Sequence, residues 1–475
     1  MLIRGYDTKH TIAAVATFPS TAALGVIKIS GKDALSIVRR IFLPKNKNKN
    51  VKKAKSYTLH YGWIVQPPDS RAKTVKTNPE PKIIDEVIVS IMRAPHSYTR
   101  DDVVEISSHG GILILNKILD LILKSGARLA KPGEFSYRAF LNGRLDIIQL
   151  QAISDIVEAK TEKALFSLSR QLKGDFSKTI LTVKDGLRDI SSLLEACINF
   201  PDEDITEDLP QIKKGIKKIG ARIKSILNNH SISRALHEGI VCVICGPANV
   251  GKSTLFNRIL KQERAIVTHI AGTTRDAIEE TVNIKGLSLR IYDTAGIIET
   301  KGIVGKHAVK KSYEKIEKAD LVIFMFDASC VIDNKNLSLL EKMKDRNMII
   351  VINKTDLPCR IKEERLRSLR KPLVRISALK GSGIDQLEKT VFNAVYRKGM
   401  ERQDNVVILA KWQAQVLEDV LSHLNEAEKF VNEGFTLDFV SFAIKNALDD
   451  LSKLSGERID EDVLNNIFSN FCIGK

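Results

Sequence analysis

Two spacings of apolar residues alternate along the chain, and each change of spacing marks a new part. Between residue 10 and about residue 107 the apolar runs are short and bounded by turn residues. Residues 22–29, 57–65, 83–92 and 103–107 read as strands, with a short helix over 33–42. His109-Gly-Gly111 reads as a turn opening a helix through residue 124. From Gln149 the period becomes helical, with Leu150, Ile153, Ile156, Val157, Ala164, Leu165, Leu168 and Leu172 on one stripe. Helical spacing continues over 180–197 and 210–229. Residues 239–398 then alternate strand and helix patterns, as a parallel α/β unit requires. Helical patterns return over 411–431, 438–454 and 460–471. Amphipathic helices need a partner for their apolar faces. The simplest arrangement is one bundle built from both helical flanks, with the α/β unit inserted into it.

The inserted unit carries a series of motifs with a shared chemistry. Gly246-Pro-Ala-Asn-Val-Gly251-Lys252-Ser253-Thr254 follows an apolar strand pattern and precedes a helix pattern. That is the context in which a glycine loop turns successive N–H groups, and the positive end of a helix, onto phosphate. Lys252 would reach the β- and γ-phosphates and Ser253 would hold Mg²⁺. Asp293-Thr-Ala-Gly296 ends a later strand. Its acid suits water-mediated Mg²⁺ contact, and Gly296 suits a close backbone approach to the γ-phosphate. Asn353-Lys-Thr-Asp356 follows another strand; Asp356 can accept from guanine N1–H and the exocyclic amine, which adenine cannot offer. Ser377-Ala-Leu-Lys380 suits a loop presenting a backbone N–H to the guanine oxygen. In this order, each at a strand end, the set predicts a Ras-like P-loop GTPase. Within Gly272-Thr-Thr-Arg-Asp276, Thr274 is favoured to complete the Mg²⁺ shell, with Thr273 the alternate. Asn249 could ligate a monovalent cation beside the phosphates, or serve only to stabilise its turn.

Charge and composition widen the picture slightly. The 475 residues carry 74 Lys+Arg against 57 Asp+Glu, a net +17, with 43% hydrophobic residues. This supports several large cores and either an anionic partner, nucleic acid first, or simply a lysine-rich background. The run Pro44-Lys-Asn-Lys-Asn-Lys-Asn50 reads as a solvated loop or a phosphate-backbone contact. Cys242 and Cys245 fall inside an apolar strand without a second Cys/His pair, so buried thiols are expected rather than zinc. No run of about 18 apolar residues occurs and the N-terminus lacks a signal-peptide core, so a cytoplasmic protein without membrane contact is expected.

These motifs, with Arg93-Ala-Pro-His-Ser-Tyr-Thr, Ser108-His-Gly-Gly111, Lys131-Pro-Gly-Glu-Phe-Ser-Tyr-Arg-Ala-Phe-Leu-Asn-Gly-Arg-Leu-Asp146 and the terminal Cys472-Ile-Gly-Lys475, resemble the MnmE/TrmE family of tRNA modification GTPases over nearly the whole chain. The resemblance implies a multidomain α/β protein: a β-rich, tetrahydrofolate-binding and dimerising N-terminal domain (1–136), a helical bundle domain (137–236 and 400–475), and an inserted Ras-like P-loop G domain (237–399). It implies a potassium-activated, homodimeric GTPase that acts with the FAD protein MnmG, in a heterotetramer or larger assembly. That assembly adds a carboxymethylaminomethyl group at C5 of the wobble uridine of certain tRNAs, with a 5,10-methylene- or 5-formyl-type tetrahydrofolate as cofactor. GTP or GDP contacts are implied for Asn249, Val250, Gly251, Lys252, Ser253 and Thr254, for Thr268, His269, Ile270, Ala271, Gly272, Thr273 and Thr274, for Asp293, Thr294, Ala295 and Gly296, for Asn353, Lys354 and Asp356, and for Ser377, Ala378 and Leu379. K⁺ ligands are implied at Asn249, Thr268, Ile270 and Thr273, and Mg²⁺ ligands at Ser253 and Thr274. Folate contacts are implied at Lys28, Glu86, Arg144 and Lys475, with Cys472 near the folate. Catalytic roles fall to Lys252, Thr274, Gly296 and Glu299.

The chain departs from the family pattern in three places. Ser20-Thr-Ala-Ala-Leu-Gly-Val26 replaces a segment that usually carries an arginine meeting the folate. Gly305 occupies the position of a glutamate that orients the attacking water, leaving Glu299 as the nearby acid. His269 stands where an acid is common. These departures motivate an alternative, a GTP-binding switch or scaffold with impaired hydrolysis or folate binding. A ribosome-assembly GTPase is a weaker alternative, because no RNA-binding module follows the G domain.

Overall fold

The structure, a computed structural model, describes residues 8–18, 20–46, 50–67, 81–200, 209–228, 239–262, 279–284, 287–293, 319–395, 407–458, 461–469, 471 and 474. In chain order the elements are β1 (Ile12–Val15), β2 (Ala22–Ser30), α1 (Ala34–Ile41), β3 (Phe42–Pro44), β4 (Thr58–Gln66), β5 (Lys82–Met92), β6 (Val103–Gly110), α2 (Ile112–Lys124), β7 (Arg128–Leu129), α3 (Glu134–Leu141), α4 (Ile147–Glu158), α5 (Glu162–Lys173), α6 (Asp175–Asn199) and α7 (Leu209–Asn228). They continue with β8 (Ile240–Cys245), α8 (Lys252–Gln262), β9 (Glu279–Ile284), β10 (Leu287–Asp293), β11 (Leu321–Asp327), α9 (Asn334–Lys342), β12 (Met348–Asn353), α10 (Glu364–Arg367), β13 (Leu373–Arg375), α11 (Ile384–Val395), α12 (Lys411–Glu433), α13 (Leu437–Ser455) and α14 (Glu461–Ser469).

Two compact units emerge. The first comprises residues 1–154, 171–219 and 416–475; the second comprises 155–170 and 220–415. The first unit contains a seven-stranded sheet in the order β3-β4-β5-β6-β2-β1-β7. All its pairings are antiparallel except β1 with β7. The alternation of side chains along each strand sends one set inward. Ile27, Ile29, Val87, Val89, Ile91, Val104 and Ile106 form a core with Ile37, Val38 and Ile41 of α1 and Leu115, Ile118 and Ile122 of α2. His109 and Gly110 belong to β6 rather than to a turn. His109 lies opposite Leu24, and its Nδ1 and backbone N–H both meet the Asp85 carboxylate, at 2.7 and 2.9 Å. That partner across the sheet extends the strand beyond the apolar run visible in the sequence.

The same unit contains helices from both flanks of the insertion. The buried stripe of α6, Ile180, Val183, Leu187, Ile190 and Leu194, repeats every three or four residues. The stripe of α13, Val440, Ile444, Ala447, Leu451 and Leu454, does the same, and the two helices pack together. Lys184, only 2% exposed, reaches out of this contact to Glu457 at 2.6 Å and the Ser455 hydroxyl at 3.0 Å. One bundle from two distant segments is therefore present in this unit. The single helical stripe expected from Gln149 to Leu172 is two helices. The first ends at Glu158, and Thr161 caps the start of α5 by accepting from the Ala164 N–H at 3.1 Å.

The segment 131–146 shows why so many polar groups sit among its turn residues. Glu134 and Arg138, 0% and 2% exposed, pair at 3.3 Å one helical turn apart on α3. Arg128 donates to Glu134 at 3.0 Å, and Arg138 donates to the His10 carbonyl at 2.7 Å. Asn142 donates to the Thr99 carbonyl, and Arg100 donates back to the Asn142 carbonyl at 2.7 Å. Asp146 and Gln149 cap α4 reciprocally, at 2.8 and 3.0 Å.

In the second unit the sheet order is β13-β12-β11-β8-β10-β9, parallel throughout except for the edge strand β9. β11 and β12 are buried along their whole length, as central strands covered on both faces must be. Cys242 and Cys245 lie inside β8, where burial pushes both thiols up to about 12. They are core residues, as the apolar strand pattern implied.

Removing the Glu134 charge should leave the buried Arg138 with only the more distant Asp101 carboxylate, 3.8 Å away. Glu134→Gln is expected to destabilise the first unit by about 3–5 kcal/mol, read as a shift of its urea transition.

Candidate nucleotide-binding site

The strand order places the candidate residues. β8 lies between β10 and β11, and residues 246–251 leave its C-terminal end to enter α8. Ligands of open α/β sheets bind beyond the C-terminal ends of such strands. Gly246, Asn249 and Gly251 have φ of 141°, 59° and 93°. A Cβ at Gly246 would collide with the Met325 carbonyl oxygen, and one at Gly251 with the Asn353 side chain, so glycine is required at both. Asparagine tolerates the left-handed backbone at 249, which by itself accounts for its presence there. Lys252, 7% exposed, begins α8 and donates to the Gly246 and Pro247 carbonyls at 3.0 and 2.7 Å. Its ammonium is thereby folded over the loop it serves. Ser253 is exposed in the first turn of α8. Asp293, ending β10, pairs in register with Ile244 of β8, which brings the acid to the strand that feeds the loop.

The residues after β12 and β13 close the other side of the site. Asn353 is 2% exposed. Its amide donates to the Val250 carbonyl at 2.8 Å and its oxygen accepts from the Ala378 N–H at 2.9 Å. One side chain therefore fixes the glycine loop and the 377–379 loop to each other. Lys354 takes the left-handed φ of 61°, and its ammonium pairs with Asp327 at 2.7 Å. Burial works to raise the Asp327 pKa, but hydrogen bonds from Lys354 and Ser329 outweigh it and hold the carboxyl below its ordinary value. Asp356 is exposed and accepts from the Ser377 hydroxyl at 2.6 Å. That bond is the main reason its carboxyl is held below the ordinary carboxylate range. The arrangement favours the ionised carboxylate of Asp356.

Asp327 was not legible as a site residue, because nothing but its place at the end of an all-apolar strand marks it. Arg258 of α8, which donates to the Ala378 carbonyl at 3.0 Å, carries no motif at all.

Family comparison fits this geometry. The family described as "MnmE helical domain" matches residues 147–472, and "GTP-binding protein TrmE N-terminus" matches residues 11–144. The "tRNA modification GTPase MnmE" of Thermoanaerobacter pseudethanolicus is 41% identical over 468 residues, covering 98% of this chain and 99% of that protein. The chain belongs to the MnmE/TrmE family. It is a GTPase, with the fold class expected: a TrmE-type N-terminal region, a helical domain and a G domain. The relative of the same description in Clostridioides difficile is 39% identical, again over 98% of this chain and 99% of its own length. Among solved structures, the FeoB G domain from Methanococcus jannaschii matches at 27% identity over 33% of this chain and 96% of that chain, with a TM-score of 0.26.

In the first unit, two of the residues that the MnmE/TrmE resemblance assigns to folate come together. The Lys28 ammonium lies 5.3 Å from the centre of the Tyr98 ring, and the Arg144 guanidinium lies 4.6 Å from it. A cavity of about 420 Å³ beside them is lined by Tyr57, Pro95, Ser97, Tyr98, Arg100 and Arg144. The Lys28 ammonium also pairs with Glu105 at 3.5 Å and lies 5.6 Å from the centre of the Phe135 ring. Glu86 is not brought to this cluster. It lies on β5, four positions along the strand from Ser90, which lies opposite Glu105, the Lys28 partner, and it accepts from the Tyr61 hydroxyl of β4. Thr268, His269, Ile270, Ala271, Gly272, Thr273, Thr274, Thr294, Ala295, Gly296, Glu299, Gly305, Cys472 and Lys475 lie outside the described residues. Among the described residues, no helix is long and apolar enough to cross a membrane.

Two outcomes test the base site. Asp356→Asn presents an amide N–H in place of a carboxylate oxygen, so it should weaken GDP and favour xanthosine diphosphate, whose C2 carries an acceptor; competition binding against a fluorescent nucleotide measures this. Ser377→Ala removes the bond that holds the Asp356 pKa down. The carboxylate then protonates at a higher pH, so the acid limb of GDP binding should move upward in pH.

Proposed function

We propose that this chain is the GTP-hydrolysing half of a tRNA-modifying pair, working with an MnmG-type FAD protein on the C5 position of the wobble uridine. The observation that carries the reading is the Asn353 bridge between the glycine loop and the 377–379 loop. It belongs to a chain that matches tRNA modification GTPases along nearly its whole length. In this reading the protein is a cytoplasmic homodimer with domains 1–136, 137–236 with 400–475, and 237–399. GTP is held by Lys252, Asp356 and the loops around them, and Mg²⁺ by Ser253 and Thr274. K⁺, ligated at Asn249, Thr268, Ile270 and Thr273, would supply positive charge to the γ-phosphate during hydrolysis. Lys28 and Arg144 would hold the carboxylates and ring of a tetrahydrofolate, which when bound supplies the one-carbon unit. Cys472 and Lys475 are assigned beside it by position in the terminal motif.

GTP turnover in KCl against NaCl is the decisive measurement, with faster turnover expected in KCl. Equal, negligible rates in both would remove the potassium-activated enzyme from consideration. Gly305, at the position of the water-orienting glutamate, favours a second reading in which the chain is a switch or scaffold with slow hydrolysis. Gly305→Glu should then raise turnover roughly 10²–10⁴-fold, the usual worth of a positioned general base; an unchanged rate argues against that second reading.

A further inference from the structure

The three peptide planes of the 377–380 loop are each held differently. The plane joining Ser377 to Ala378 is fixed at both ends. The Ser377 carbonyl accepts from the Gly381 N–H at 2.7 Å, and the Ala378 N–H donates to Asn353 at 2.9 Å. The plane joining Leu379 to Lys380 is also fixed at both ends. The Leu379 carbonyl accepts from the Arg258 guanidinium, and the Lys380 N–H donates to the Ser377 hydroxyl at 3.2 Å. The plane between them, joining Ala378 to Leu379, is held only at its carbonyl, by Arg258 Nε at 3.0 Å. Among the described residues nothing accepts from the Leu379 N–H. In a trans peptide the N–H and C=O point in opposite directions. Fixing the Ala378 carbonyl towards α8 therefore aims the Leu379 N–H away from α8.

Arg258 is well placed to hold that orientation. It is half-buried on α8, six residues after Lys252, and its guanidinium packs against Gly381, whose φ of 85° keeps a side chain out of the way. A guanidinium offers several donors in a rigid plane, so it can hold two successive carbonyls where an ammonium would hold one well. The Asn353 bridge belongs to the guanine motif; the Arg258 clamp belongs to none.

We infer that Arg258 is a positioning residue for guanine recognition, clamping the Ala378 and Leu379 carbonyls so that the free amide of the loop meets the guanine 6-oxygen. This rests on reading Asp356 and the 377–379 loop as the base site. Arg258 also makes the helix that starts at the phosphate loop the support for the base loop, so the two ends of the nucleotide are gripped from one element.

The test uses the full chain, Arg258→Ala and Arg258→Lys, and three ligands: GDP, 6-thio-GDP and IDP. Sulfur at position 6 is a weak acceptor and probes the loop amide; loss of the 2-amine in IDP probes Asp356. In the unaltered protein GDP should bind more tightly than either analogue. In Arg258→Ala, GDP should weaken about tenfold, the worth of a charge-assisted hydrogen bond. The gap between GDP and 6-thio-GDP should close while the gap between GDP and IDP stays. Arg258→Lys should fall between the two, and carries the comparison if the alanine variant does not fold. Equal weakening of all three ligands, or no weakening, overturns the positioning role. If the unaltered protein already binds GDP and 6-thio-GDP equally, the base-site reading fails, and this inference with it.

Discussion

The nucleotide site depends on one buried amide. Asn353 uses its donor on the Val250 carbonyl and its acceptor on the Ala378 N–H, and it is closed off from solvent while doing so. A group buried in this way costs little while both bonds are made and a great deal when one is lost. The glycine loop and the base loop are consequently not independent features. Each is held at the end of its own strand, β8 or β13, and the spacing between phosphate and base is set by the width of the intervening strands plus one asparagine. Gly251 is glycine partly for the same reason, since a side chain there would displace Asn353.

The charges around this amide place a carboxylate, Asp356, at one end of the site and an ammonium, Lys252, at the other. Asp356 is held ionised by a hydroxyl, and Asp327 by an ammonium. Lys252 is anchored to carbonyls of its own loop. Opposite charges thus stand at the ends of β8 and β12. The pattern is carried by backbone geometry and a few short bonds rather than by net charge. The excess of +17 spread over the chain adds little to it.

Much of the G domain was legible because its chemistry forces particular residues to particular strand ends. A glycine loop, an aspartate after a strand and an Asn-Lys-x-Asp turn each announce both structure and ligand. The helical bundle was legible in outline from its period. Its break at Thr161 was not, because a capping threonine interrupts no apolar stripe. The N-terminal sheet was readable strand by strand, but His109 was misplaced as a turn residue. Its strand position depends on Asp85 across the sheet, a partner that periodicity does not reveal. The polar residues of 131–146 named no ligand by themselves; in the structure Glu134 is buried between Arg138 and Arg128. Arg258 and Asp327 were invisible because their roles lie in distances across the fold. Thr274, Gly296 and Gly305, outside the described residues, are marked by their motifs.

The contact between Lys184 and Ser455 joins positions 271 residues apart in the sequence. On a ribosome adding about 5–20 residues per second, roughly 14–54 s separate the synthesis of the two. Throughout that interval the apolar stripe of α6 has emerged without its mate on α13, while the whole P-loop unit is made and can fold. Self-association of nascent chains, or capture by a chaperone, has its opening in that wait. The insertion that gives this protein its switch thus also sets the order of its biogenesis: the GTPase can be complete before the scaffold around it closes.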